Sequence, residues 1–198
     1  MEKSNSHPDK TESGESLTGA ASDGGSPLKG PEEELVSVLV EGEGFDKMEA
    51  FYVPHNSTAA EFVAVVAIKI GCAKEGVLLF LEDDDKTLEL SIKITKEHAH
   101  GKIHHVHRVK EIEVTVFYQG AHKTKKFPPS ARVQRVLDWA VGPKGFKLDP
   151  TIAPEMELAL HGQTDALPKS AHIGRYVRHP NDKLALDLIR GVVPNGGF

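Results

Sequence analysis

Leu184-Ala185-Leu186-Asp187-Leu188-Ile189-Arg190 decides the fold, because its leucines recur strictly at every second position. That period places Leu184, Leu186 and Leu188 on one buried face of a strand. Working backwards, Met156–Leu160 reads as another strand and His161-Gly162 as its turn. A loop through Leu167 and Ile173 joins the two strands. Val133, Val136, Leu137 and Ala140 fall at helical spacing, and Gly142-Pro143 stops the helix. Ser130 is the expected N-cap. Before it, Glu111–Tyr118 alternates as a half-buried strand, Gln119-Gly120 turns, and His122–Phe127 returns to Pro128-Pro129.

The same order occurs earlier in the chain. Leu35–Val40 and Met48–Val53 form a hairpin across Glu41-Gly42-Glu43-Gly44, ended by Pro54. Thr58-Ala59-Ala60-Glu61 fits a capping box, with Phe62, Val65 and Val66 facing inward and Gly71 at the stop. Val77–Leu81 is a strand closed by the acidic turn Glu82-Asp83-Asp84-Asp85, and short strands are expected at Leu88–Ile94 and Lys102–Arg108. The order ββαβ…β therefore runs twice, about 75 residues apart. Each unit is one helix on one small mixed sheet, an α+β architecture. Residues 1–34 contain no Val, Ile, Phe, Tyr or Trp, and so read as a disordered tail. The expected organisation is that tail, a first domain over 35–109, a second over 110–191, and a flexible C-terminal tail over 192–198.

Composition narrows the function. A single cysteine, Cys72, excludes an internal disulfide framework and paired-cysteine zinc or redox motifs. No apolar run nears the roughly 18 residues of a membrane helix, and no signal peptide is visible; the expectation is a cytoplasmic protein. The net charge of −5 divides unevenly: residues 1–34 carry −5, residues 35–97 carry −6 and residues 98–198 carry +6. Lys123, Lys125, Lys126, Arg132 and Arg135 give the second unit a basic face without interleaved aromatics. That pattern fits solvation or an acidic partner, not nucleic acid. His98, His100, His104, His105 and His107 crowd one short segment between the units. In extended backbone His105 and His107 share a face. With no Cys or regular carboxylate set nearby, a polar hinge strand is expected and no metal site. Cys72 follows the end of a helix and reads as packing, and Asp83-Asp84-Asp85 reads as a solvated turn. His161 has no serine or cysteine partner at a catalytic spacing, so no enzyme constellation and no cofactor are expected.

The second unit resembles ubiquitin. Leu158-Ala159-Leu160-His161-Gly162 is similar to its strand and glycine turn, Leu167…Ile173 to its crossing segment, and Leu184–Arg190 to its final strand with a trailing arginine. The chain ends Val192-Val193-Pro194-Asn195-Gly196-Gly197-Phe198. Two such units with a terminal Gly-Gly resemble the two-domain interferon-induced ubiquitin-like modifiers. They resemble still more the bacterial ubiquitin-like modifiers of antiviral conjugation operons. The resemblance implies tandem β-grasp domains in a protein that is a substrate, not an enzyme. It implies removal of Phe198 by a metal-dependent deconjugating peptidase, then activation and conjugation of Gly197, with Gly196 beside it, by an activating and a conjugating enzyme onto target proteins. Arg190, Pro194 and Asn195 would meet those enzymes. Ala159, Ala185 and Asp187 stand where ubiquitin carries its apolar partner patch, so the matching patch here is smaller and partly charged. A non-conjugated interaction scaffold and a sulfur carrier are the alternative readings.

Overall fold

A computed structural model describes residues 34–191. The expectations for residues 1–33 and for Val192–Phe198 lie outside the described residues. Two four-stranded mixed sheets are present, one per half. In the first, β1 (Leu35–Gly42) pairs antiparallel with β2 (Glu49–Pro54) and parallel with β4 (Ile103–His107), and β3 (Leu78–Leu81) closes the other edge. The order is β2-β1-β4-β3. In the second, β5 (Ile112–Tyr118) lies between β6 (Ala121–Phe127) and β8 (Lys183–Arg190), with β7 (Met156–Leu160) beyond β8, in the equivalent order β6-β5-β8-β7. Each sheet is crossed by one helix, α1 (Ala59–Lys69) or α3 (Val133–Val141); a short α2 (Lys96–Ala99) precedes β4. These are two tandem β-grasp domains.

The apolar pattern explains both. Val36, Val38 and Val40 of β1 are buried against Phe62 and Val66 of α1. In the second domain, Val114 and Val116 of β5 and Leu184, Leu186 and Leu188 of β8 meet Val136, Leu137 and Ala140 of α3. Trp139 lies at the rim of that core, edge-on to Phe127. The capping box forms: Thr58 accepts from the Glu61 amide, and the Glu61 carboxylate accepts from the Thr58 amide.

Five local expectations change. Val65 is exposed, and Val63 takes its inward place. Leu88–Ile94 is not a strand. It runs beside the start of α1, where the carbonyls of Leu90, Ile92 and Ile94 accept amides from Ala60, Ala59 and Asn56. Ser130 does not cap α3; Arg132 occupies the N-cap, and the buried Ser130 hydroxyl donates to the Asp84 carbonyl. The histidine segment is not a hinge, because β4 is an interior strand with partners on both sides. Nor is the acidic turn simply solvated, since it binds the second domain.

Candidate functional site

The C-terminal strand sits at the centre of the second sheet. β8 is paired parallel to β5 as far as Asp187 and antiparallel to β7 as far as Arg190. Arg190 is exposed and its Nε pairs with Glu155 at 3.1 Å. The Gly191 amide donates to the Glu155 carbonyl at 2.7 Å. A Cβ on Gly191 would lie 3.0 Å from the Glu157 carboxyl carbon, so the exit is narrow. A groove lined by Tyr118, Gln119, Ile152, Met156 and Arg190 flanks this exit. Pro194, Asn195, Gly196, Gly197 and Phe198 lie outside the described residues.

Pairing brings the patch positions together. Asp187 stands opposite Phe117 on β5 and Ala159 on β7, and Ala185 stands opposite Thr115. Ala185 is exposed and Asp187 half-buried, but Ala159 is fully buried. Ala159 therefore offers no surface to a partner, which corrects its place in the expected patch. The centre of this face is Phe117, which the sequence reading passed over. Its ring stacks on His161 at 4.4 Å, and the tilted His122 ring lies 5.8 Å away. Its signal was the alternation of β5: Phe117 falls on the polar side with Glu113 and Thr115. His161 Nδ1 lies 2.8 Å from Asp187, whose other oxygen accepts the Gly162 amide at 2.7 Å. Partial burial pushes the Asp187 carboxyl up, but those bonds outweigh it and hold it below the usual aspartate range. Lys123, Lys125 and Lys126 lie along the exposed edge strand β6.

The two domains meet through charge. Arg132 pairs with Glu82 at 2.5 Å and with Asp83 at 3.2 Å, and Arg135 pairs with Asp85 at 2.6 Å. The Arg132 amide also donates to Asp83 at 3.0 Å, so the first domain's acidic turn caps α3. Arg132 and Arg135 are thus consumed within the chain and do not belong to a free basic face.

Buried Glu43 accepts from the Arg108 amide, from the Arg108 guanidinium and from the His179 amide. His107 accepts from the Val109 amide at Nδ1 and lies 3.1 Å from the Val177 carbonyl at Nε2. Those partners fit a neutral ring with its proton on Nε2. Burial pushes the His107 imidazole below its usual range. His104 points the other way, edge-on to Phe62 in the first core, and burial lowers it to about 4. His105 faces the second domain with Glu41 and His172, the one group of metal-ligating side chains gathered among the described residues.

Two tandem β-grasp domains define a protein of ubiquitin-like fold. Residues 113–191 match the family model of BilA ubiquitin-like domain 2, a bacterial ubiquitin-like family, so the second half is similar to that domain. No curated protein sequence matches the chain. Among solved structures, the N-terminal ubiquitin-like domain of the 4931431F19Rik protein is 20% identical, with a TM-score of 0.31, covering 43% of this chain and 88% of that one. The Caldiarchaeum subterraneum ubiquitin is 18% identical, with a TM-score of 0.32, covering 43% of this chain and 99% of that one. A chain of the pParkin-pUb-UbcH7 complex is 18% identical, with a TM-score of 0.32, covering 40% of this chain and 25% of that one. No helix among the described residues is long and apolar enough to cross a membrane.

Proposed function

We propose that this chain is a ubiquitin-like protein modifier that is processed after Gly197 and joined through that glycine to target amines in bacterial antiphage defence. The observation that carries the reading is Gly196-Gly197 placed six residues beyond a β8 that belongs to a BilA-like domain. With Phe198 attached, the Gly197 carbonyl is an amide. Hydrolysis by a metal-dependent peptidase would free its carboxylate and release phenylalanine. That carboxylate would attack a nucleoside triphosphate at phosphorus and expel pyrophosphate. A cysteine thiolate of the activating enzyme would then displace the nucleotide, and the acyl group would pass to a conjugating enzyme and finally to an amine. Glycine suits this path because a residue without Cβ lets backbone approach the partners' catalytic groups closely. The chain supplies the acyl group and acts on nothing itself, as a cytoplasmic substrate of its enzymes. Arg190, Pro194 and Asn195 would guide the tail, and Phe117, Ala185 and Asp187 would form the recognition face.

The test is intact-mass analysis of the full chain with its cognate peptidase, then with the activating and conjugating enzymes. Loss of the terminal Phe and adducts that vanish on Gly197→Leu are expected. Retention of Phe198, or conjugation undisturbed by Gly197→Leu, would overturn the tail mechanism, and absence of any adduct with the complete set of enzymes would favour a non-conjugated scaffold.

A further inference from the structure

Glu41 and His105 are direct neighbours in the parallel register of β1 and β4, so their side chains leave the first sheet on one face. His172 enters that face from the second domain. Its position is fixed by a bridge to Arg132 and by the Ile173 amide, which donates to the Ala131 carbonyl at 2.9 Å. The His105 and His172 rings lie 3.9 Å apart and are almost fully buried. Glu41 Oε1 lies 3.5 Å from His105 Nδ1 and in direct contact with His172 Nδ1. Yet His105 Nε2 and His172 Nε2 are buried without a hydrogen bond, and the contact between Glu41 Oε1 and His172 Nδ1 lacks hydrogen-bond geometry. Folded proteins leave few such atoms, and each calls for an explanation such as a water or an ion.

The donor set supplies one. Two imidazoles and one carboxylate are the ligands that zinc takes at about 2.0–2.2 Å, with a fourth position left open. Tetrahedral bonds of that length put ligand atoms about 3.3 Å apart, close to the 3.5 Å between Glu41 Oε1 and His105 Nδ1, while Glu41 Oε1 and His172 Nδ1 lie closer and would part to admit the ion. One ligand atom from each of the three side chains lies within 4.8 Å of the others. Glu82 Oε1 stands 3.5 Å from His172 Nε2 and is itself held by Arg132. A carboxylate behind a ligating histidine fixes the ring's tautomer and orientation. Arg132 brings opposing positive charge, but Glu82 and Asp83 pair with it.

We propose that Glu41, His105 and His172 bind one divalent transition-metal ion, zinc foremost, at the junction of the two domains, with Glu82 as the positioning residue behind His172. The first domain gives two ligands and the second gives one, so the ion fastens the domains to each other. The inference stands apart from the conjugation reading.

The test uses the full, untagged chain after removal of metal by a chelator. The variant His98→Gln/His100→Gln/His122→Gln serves as background, because those imidazoles are exposed and would bind metal loosely. Titration calorimetry and elemental analysis should give one Zn²⁺ per chain. Adding Glu41→Gln or His172→Gln should weaken binding at least tenfold, and Co²⁺ should show tetrahedral absorption bands that the same changes abolish. Anomalous diffraction at the zinc edge of the unmutated protein needs no variant to fold, and should place the ion among the three side chains. No stoichiometric binding in the background variant, or ion density elsewhere, would overturn the proposal. So would unchanged affinity in a folded Glu41→Gln or His172→Gln.

Discussion

Replacing Glu43 with Gln should loosen the joint between the domains while keeping side-chain shape. Glu43 is only 4% exposed. Its Oε1 accepts from Arg108 Nη2 at 2.5 Å, Arg108 Nε at 3.2 Å and the His179 amide at 2.9 Å. Its Oε2 accepts from the Arg108 amide at 3.0 Å. Burial alone would raise this carboxyl, but the Arg108 bonds and the His179 amide outweigh it and hold it below the usual range. The substituted side chain could present its single oxygen to one side only, so its NH₂ would face either the Arg108 amide or the guanidinium. One charge-assisted bond is lost at about 1.5–3 kcal/mol. The Arg108 side chain is 32% exposed and regains water, which limits the lost ion-pair contribution to about 1 kcal/mol or less. A net cost of about 2–3 kcal/mol follows, or roughly 5–10 °C in melting temperature for a domain pair of this size. Urea unfolding followed by circular dichroism reports both domains, while fluorescence of Trp139, the sole tryptophan, reports the second. Both probes should shift together. A loss under about 0.5 kcal/mol, or a shift in circular dichroism with the Trp139 transition unmoved, would refute Glu43 as an interdomain anchor.

Phe62→Ala should cost about 3–5 kcal/mol, measured by denaturant midpoint, because the ring is fully buried between Phe51 and His104. Gly42→Ala should cost at least about 1–3 kcal/mol: Gly42 sits at φ +128°, and a Cβ there would lie 2.2 Å from the Val106 carbonyl oxygen. Hydrogen exchange at the Glu43 amide, which donates to that carbonyl, should rise with it. Asp187→Asn should cost about 0.5–1 kcal/mol at pH 7. The folded carboxyl lies below its unfolded value of about 3.9, so its contribution is complete above that value. It fades as pH falls through the folded one. Urea midpoints of the two proteins should therefore differ at pH 6 and converge at the acid end; a constant gap would contradict this.

The alternation of Leu184, Leu186 and Leu188 and the Thr58–Glu61 capping box are encoded within a few residues, so pattern alone recovers the strand and the helix start. Glu41, His105 and His172 are different. They meet only because a parallel register sets β1 beside β4 and a second domain docks on that face. Parallel pairing across a long crossover leaves no short-range trace, and the histidines read as a connector. Ser130 failed as a cap for a related reason. Its local propensity was sound, but its hydroxyl is taken by the Asp84 carbonyl of the other domain's acidic turn, and α3 starts with Arg132 at the N-cap.

The division of charge, −6 over residues 35–97 and +6 over residues 98–198, is legible in the sequence as a number, and the fold supplies its purpose. In the fold, Arg108, Arg132 and Arg135 answer Glu43, Glu82, Asp83 and Asp85. Glu43 is buried and Glu82 partly so, where water cannot fully replace a lost partner, while Asp83 and Asp85 are exposed. Opposite charge on the halves therefore acts within the chain, selecting one docked arrangement over others that would leave like charges facing each other. The β6 lysines and the Phe117–His161 face stay accessible on the second domain. Under the proposed function, these are surfaces at which its enzymes would read the protein.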